Sequence, residues 1–151
     1  MYAPRYILRS FAGIPVLAKG RVLRHLLEGL CSSNLAWLAF HRTPPLYESG
    51  VRYAHDLEAD TEDWTDIPEV RARGVGACAD LSAWRMAELR AAGDDSTDWH
   101  VTVTEAPRAD GSLVTLYHIA LRRPDPHGEL VSNRTGLRWG VECPSTILGM
   151  P

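Results

Sequence analysis

The stretch Gly74-Val75-Gly76-Ala77-Cys78, running into the apolar segment that ends at Gly93, sets a cysteine behind two glycines and at the start of a helical pattern. Such a cysteine can attack as a thiolate, because the free N–H groups and dipole of a helix start favour the anion. The glycines would let backbone and substrate approach closely. A histidine must then take the thiol proton, and a third group must orient the imidazole. The chain offers six histidines. His25 and His41 fall in the N-terminal helical region, and His55, His100 and His127 in loop or strand-edge settings. His118 differs, lying inside "LVTLYHIALR" on the face of Leu116 and Ala120, within the strand expected at the centre of a sheet. On the residues alone two readings stand for each group. Cys78 is a nucleophile or a small core residue, and His118 is its base or a satisfied core histidine.

The elements that would position these groups follow from hydrophobic spacing. Val16 to Phe40 reads as helix, with Leu17, Val22, Leu23, Leu26, Leu27 and Leu30 near spacings of three and four. "CSSN" (Cys31–Asn34) predicts a break there, with Ser32 or Ser33 capping a second helix that Thr43-Pro44-Pro45 ends. "LYESGVRYAHD" reads as extended chain around Gly50, and "EADTEDWTD" as a solvated acidic loop. Pro68 opens a short helix, "IPEVRAR", that Gly74 terminates. Leu81, Trp84, Ala87 and Ala91 form one stripe of the next helix and Ala79, Ala83 and Met86 a second, so that helix is expected to be central and buried. Beyond Gly93 the period changes from 3.6 to 2. "WHVTVTE", "LVTLYHIALR", "LVS" and "LRWGVEC" read as strands of an antiparallel sheet, with a turn at Asp110-Gly111. In the last strand Leu137, Trp139, Val141 and Cys143 share a face, and Arg138 and Glu142 point away. The expected architecture is one α+β domain over residues 1–151, N-terminal helices first (1–43) and then a core (44–151) in which the helix of Cys78 packs on the sheet.

Composition narrows the function classes. A net charge of −3 with no Lys/Arg block gives no nucleic-acid footprint. No apolar run approaches the ~20 residues of a membrane span, and Arg5, Arg9 and Lys19 interrupt the N-terminal stretch, so cytoplasmic synthesis without a signal peptide is expected. The three cysteines, Cys31, Cys78 and Cys143, fit no zinc spacing, and no metal or cofactor is expected.

Four segments carry a resemblance: "PPLYESGVRY" (44–53), "DWTDIPEVRARGVGACADLSAWRMAELRAAG" (63–93), "LYHIALRRPD" (116–125) and "VECPSTILGM" (141–150). In that order they resemble the short transglutaminase-like (papain-like) cysteine hydrolases encoded by bacteriophages and prophages. The resemblance runs from about Pro44 to Met150 and implies a transglutaminase-like core. It implies Cys78 as nucleophile and His118 as general base. The family's triad aspartate, just before Pro-Ser, is Cys143 here, and Ala77 and Ala79 replace acids that flank the nucleophile, while Asp80 is kept. A thiol orients an imidazole weakly, and Glu142 points to the opposite face. Asn133 would complete the triad if the inserted chain between His118 and Cys143 folds back. Cys143 has two further readings, a small residue on an apolar strand face or a disulfide partner of Cys78. Trp64 is either an oxyanion donor, as in the wider fold, or a packing residue.

Two function classes follow. One is an amidase or peptidase that forms a thioester at Cys78 and takes a peptide, isopeptide or peptidoglycan amide. The other is a domain with a degenerate triad, kept as a head, neck or tail component among other virion proteins of a phage.

Overall fold

The computed structural model describes residues 6–8, 16–54, 62–124 and 139–149. Along the chain run β1 (Tyr6–Leu8), α1 (Val16–Phe40), a 3-10 turn (Leu46–Glu48), β2 (Arg52–Tyr53), β3 (Glu62–Trp64), α2 (Ile67–Arg73), β4 (Val75–Gly76), α3 (Cys78–Ala91), β5 (Asp98–Pro107), β6 (Leu113–Pro124), β7 (Trp139–Glu142) and the short turn of helix α4 (Pro144–Ile147). The fold is mixed helix and strand. The strand expected at "LVS" lies outside the described residues, as do Asn133, His55 and His127.

The expected break at Cys31–Asn34 does not occur, and α1 is continuous over 25 residues. Ser32 and Asn34 find partners without leaving the helix. Ser32 Oγ donates to the carbonyl of Glu28 one turn earlier (2.9 Å), the in-helix bond that serine can make. Asn34 is buried, and its Oδ1 accepts from the backbone N–H of Ile67 (3.0 Å), so it holds the start of α2 rather than capping a new helix. Leu23, Leu27, Leu30, Cys31 and Asn34 are the fully buried stripe of α1.

The acidic segment also departs from expectation. Residues 62–64 pair antiparallel with β1, and Trp64, Thr65 and Asp66 are buried. Asp66 caps α2, with Oδ1 accepting from the N–H of Glu69. Pro68 in the first turn and Gly74 at φ 72° bound α2 as the sequence predicts. Gly76 has a different task. A Cβ there would lie 2.9 Å from Leu81 Cδ2 and 3.2 Å from Val70 Cγ1, so β4, which pairs parallel with β2, packs closely on α2 and α3 through glycine, and a side chain there would have to push Leu81 and Val70 aside.

The main sheet has the order β5-β6-β7, all antiparallel, which makes the strand of His118 central as expected. Register pairs Trp99 with Leu121, Val101 with Ile119 and Val103 with Tyr117. These six line the inner face, joining a core with Leu23, Leu27 and Leu30 of α1 and Cys78, Ala79, Ala83, Met86 and Ala87 of α3. A second core, Leu46, Val51, Ile67, Val70, Leu81 and Trp84, fills the other side of α3. Ten of the fourteen residues of α3 are buried, which is the central helix its two apolar stripes foretold.

In β7 the inward face is the reverse of the expected one. Val141 is 51% exposed, while Glu142 opposes Leu121 and turns toward α3. There Glu142 accepts from Arg85 Nε (2.7 Å), Tyr47 Oη (2.8 Å) and Arg123 Nη1 (3.0 Å). A carboxylate held by two guanidinium groups and a phenol is stable in a half-buried place where an apolar residue was expected.

Candidate functional site

Cys78 is the first residue of α3, and Ala77 before it is extended (φ −78°, ψ 172°). Alanine offers no capping oxygen, so the start of α3 is held by Asp80 in its first turn. One carboxylate oxygen of Asp80 accepts from the N–H of Ala77 (2.9 Å) and the other from the N–H of Thr65 (2.8 Å). Asp80 is 4% exposed, so the acid two residues after Cys78 is a buried brace between the β3–α2 connection and α3. Cys78 itself is 3% exposed and belongs to the core that includes Trp64, Ala79, Ala83 and Ile119. Trp64 is fully buried in the same core, its ring edge-on to Tyr117 with centroids 6.1 Å apart. That is a packing contact.

Tyr117, Ile119 and Leu121 turn inward, so by strand alternation His118 leaves β6 on the other side, opposite Thr102. It is exposed rather than a core histidine. Its Nε2 lies 3.1 Å from Sγ of Cys143, the residue that directly follows β7. Cys143 is half-buried, on a polar site and not on an apolar strand face. Thr146 Oγ1 donates to the same sulfur at 3.1 Å, and Ser145 Oγ lies 3.2 Å from it. Local sequence explains this clustering. Pro144 starts the turn α4, and the carbonyl of Cys143 accepts from the N–H groups of Thr146 and Ile147 (both 3.1 Å), folding both hydroxyls back toward the thiol. Partial desolvation first, and the nearby His100 second, shift the His118 imidazole down from its ordinary value of 6.5, which favours the neutral form near pH 7.

Of the residues singled out from the sequence, His118 and Cys143 are thus in hydrogen-bond contact on the outer side of the sheet, and Cys78 sits in the core on its inner side. No disulfide joins Cys78 to Cys143. Ser145 and Thr146 were missed, and His100, set aside among the six histidines, lies near His118. The signal for the first two was present in "CPST", a proline-started turn with hydroxyls two and three residues after the thiol. Among the described residues no set of three or more His, Cys, Asp or Glu side chains is placed to hold a metal ion, and no helix is long and apolar enough to cross a membrane. Comparison with protein-family models, with curated proteins and with solved structures finds no match.

Proposed function

We propose that the chain is a transglutaminase-like, papain-like domain of phage type whose Cys-His-Asp triad is degenerate. It no longer cleaves amides at Cys78 and serves through its surface as a structural or assembly component of a virion. The observation that carries this reading is the 3.1 Å contact of His118 Nε2 with a thiol, Cys143, where the family's pattern asks for a carboxylate. A carboxylate fixes the tautomer of the base and stabilises the imidazolium, and its loss costs orders of magnitude in rate. The surroundings of Cys78 support the same reading. The thiol is 3% exposed, Gly76 before it is filled against Leu81 and Val70, and the retained Asp80 spends both oxygens on backbone N–H groups.

The test has a negative and a positive arm. Wild-type protein and Cys143→Asp are incubated with dye-labelled peptides and cross-linked peptidoglycan fragments, and purified particles from a host carrying the gene are analysed by mass spectrometry. The expected result is no turnover by the wild type and the chain present as a fixed-stoichiometry particle component. Amide cleavage by the wild type that His118→Gln and Cys78→Ser each abolish would overturn the reading.

A further inference from the structure

We propose that Cys143, with His118 as its base, is the reactive thiol of this chain, a nucleophile for activated acyl groups such as thioesters. The inference goes beyond the virion role and rests on it only for the lack of amide chemistry at Cys78.

Geometry carries it. Among the described residues Sγ of Cys143 has three polar contacts: His118 Nε2 at 3.1 Å, Thr146 Oγ1 at 3.1 Å and Ser145 Oγ at 3.2 Å. A thiol owns one proton and gives it to one acceptor. Thr146 donates to the sulfur, so the S–H is left for the imidazole or the Ser145 oxygen, and a neutral imidazole nitrogen is the better base. Nucleophile and base within hydrogen-bond reach is the arrangement that activates cysteine. The site also opens to solvent, because His118, Thr102, Val141 and Thr146 on this side are all exposed. The other two thiols are shut away. Cys78 is 3% exposed in the core, and Cys31 is fully buried on α1, where burial pushes its thiol up to about 11.

The step balances without an outside oxidant or cofactor. His118 Nε2 takes the Sγ proton as sulfur bonds to the carbonyl carbon of a thioester, and the carbon–sulfur bond to the departing thiolate breaks. The imidazolium N–H then protonates that thiolate, leaving an acyl-Cys143 thioester, a free thiol and neutral His118. One thioester replaces another. A thiolate leaves with far less acid assistance than an amide nitrogen, so a thiol–imidazole pair suits this acyl class better than a peptide bond.

The full-length protein supplies its own controls, since all three cysteines lie in one chain. Native protein is treated with limiting iodoacetamide, and separately with phenyl thioacetate, and modification at each cysteine is followed by peptide mass mapping. Cys143 is expected to react at least roughly tenfold faster than Cys78 and Cys31 with both reagents. His118→Gln should slow Cys143 by about the same factor in the folded protein, whereas in urea the rates of wild type and variant coincide. The inference is overturned if Cys143 reacts no faster than Cys78, or if folded His118→Gln leaves its rate unchanged. Should His118→Gln fail to fold, the wild-type ratio of Cys143 to Cys78 decides alone. Fast, His118-dependent labelling at Cys78 overturns both this inference and the degenerate-triad reading. Slow labelling of all three cysteines overturns the inference and leaves that reading standing.

Discussion

Replacing Asp80 by alanine removes the brace that starts the central helix, and its cost can be built from two contacts. The carboxylate accepts from Thr65 N–H at 2.8 Å and Ala77 N–H at 2.9 Å. Hydrogen bonds to a charged partner contribute about 1.5–3 kcal/mol each. Thr65 is 2% exposed, so its N–H finds no water once the carboxylate is gone, and that bond counts in full. Ala77 is half-buried and regains solvent, so its bond counts at the low end. The expected loss for Asp80→Ala is ~3–4 kcal/mol, a large share of the ~5–15 kcal/mol that holds a domain together. In a domain of this size that lowers Tm by roughly 6–16 °C. Asp80→Asn keeps one acceptor oxygen and turns an amide N–H toward the other donor, so it falls between wild type and alanine. Urea denaturation followed by tryptophan fluorescence reads the change, with the slope m checked for constancy. In the same samples the first turn of α3 frays, so Cys78 should alkylate faster in folded Asp80→Ala than in wild type. A loss under about 1 kcal/mol with Cys78 still slow would refute the brace.

Trp84 is fully buried and its Nε1 has no hydrogen-bond partner among the described residues, so Trp84→Ala should cost ~3–5 kcal/mol. Trp84→Phe should cost well under half of that, because the substitution also removes an unsatisfied N–H, and equal losses would contradict this account. Gly76→Ala, whose new methyl would meet Leu81 and Val70, should cost ~1–3 kcal/mol by thermal melting, and an unchanged Tm would mean that β4 yields freely. On the acid side, Glu28 is held below the ordinary carboxylate value of 4.5 by its bond from Arg90, and Asp94 at about 2 by Ser96. Glu142 is also lowered, since Arg85 and Tyr47 outweigh the burial that opposes its charge. Each binds fewer protons folded than unfolded, so its stabilisation is present above its ordinary value, 4.5 for the two glutamates and 3.8 for Asp94, and is lost as pH falls through the lowered values. His118, lowered from 6.5, has the same sign and starts its loss below that pH, while Asp66, raised by burial, has the opposite sign. The urea midpoint should therefore fall steadily from pH 7 towards pH 3, and a flat profile would contradict these pairings.

Much of the framework was legible because it depends on local chemistry. Pro68 and Gly74 bound α2, two apolar stripes announced a buried α3, and the alternation through Trp99–Val103 marked β5. What was not legible depends on partners far away in sequence. Ser32 and Asn34 look like helix breakers until Glu28 and Ile67 are seen to bond them in place. Glu142 looks like a solvent-facing residue until Arg85, Tyr47 and Arg123 converge on it. The candidate site divides in the same way. Periodicity located Cys78 at a helix start and His118 on a central strand. The hydroxyls of Ser145 and Thr146 at the thiol needed the three-dimensional turn after Pro144.

The position of β7 has a kinetic consequence. Among the described residues this strand is the last in its sheet, and Glu142 within it reaches partners 57 and 95 residues away in sequence. Contacts that close such long loops form late in folding, and short terminal strands open earliest from the native state. The amides of Val141 and Glu142 should thus exchange with solvent sooner than those of Ile119 and Leu121 on the central strand. Cys143 travels with β7, whereas His118 stays with the slow-opening strand. The contact between sulfur and imidazole is then made and broken by each excursion of β7, and the lifetime of the docked strand sets how long the thiol keeps its base.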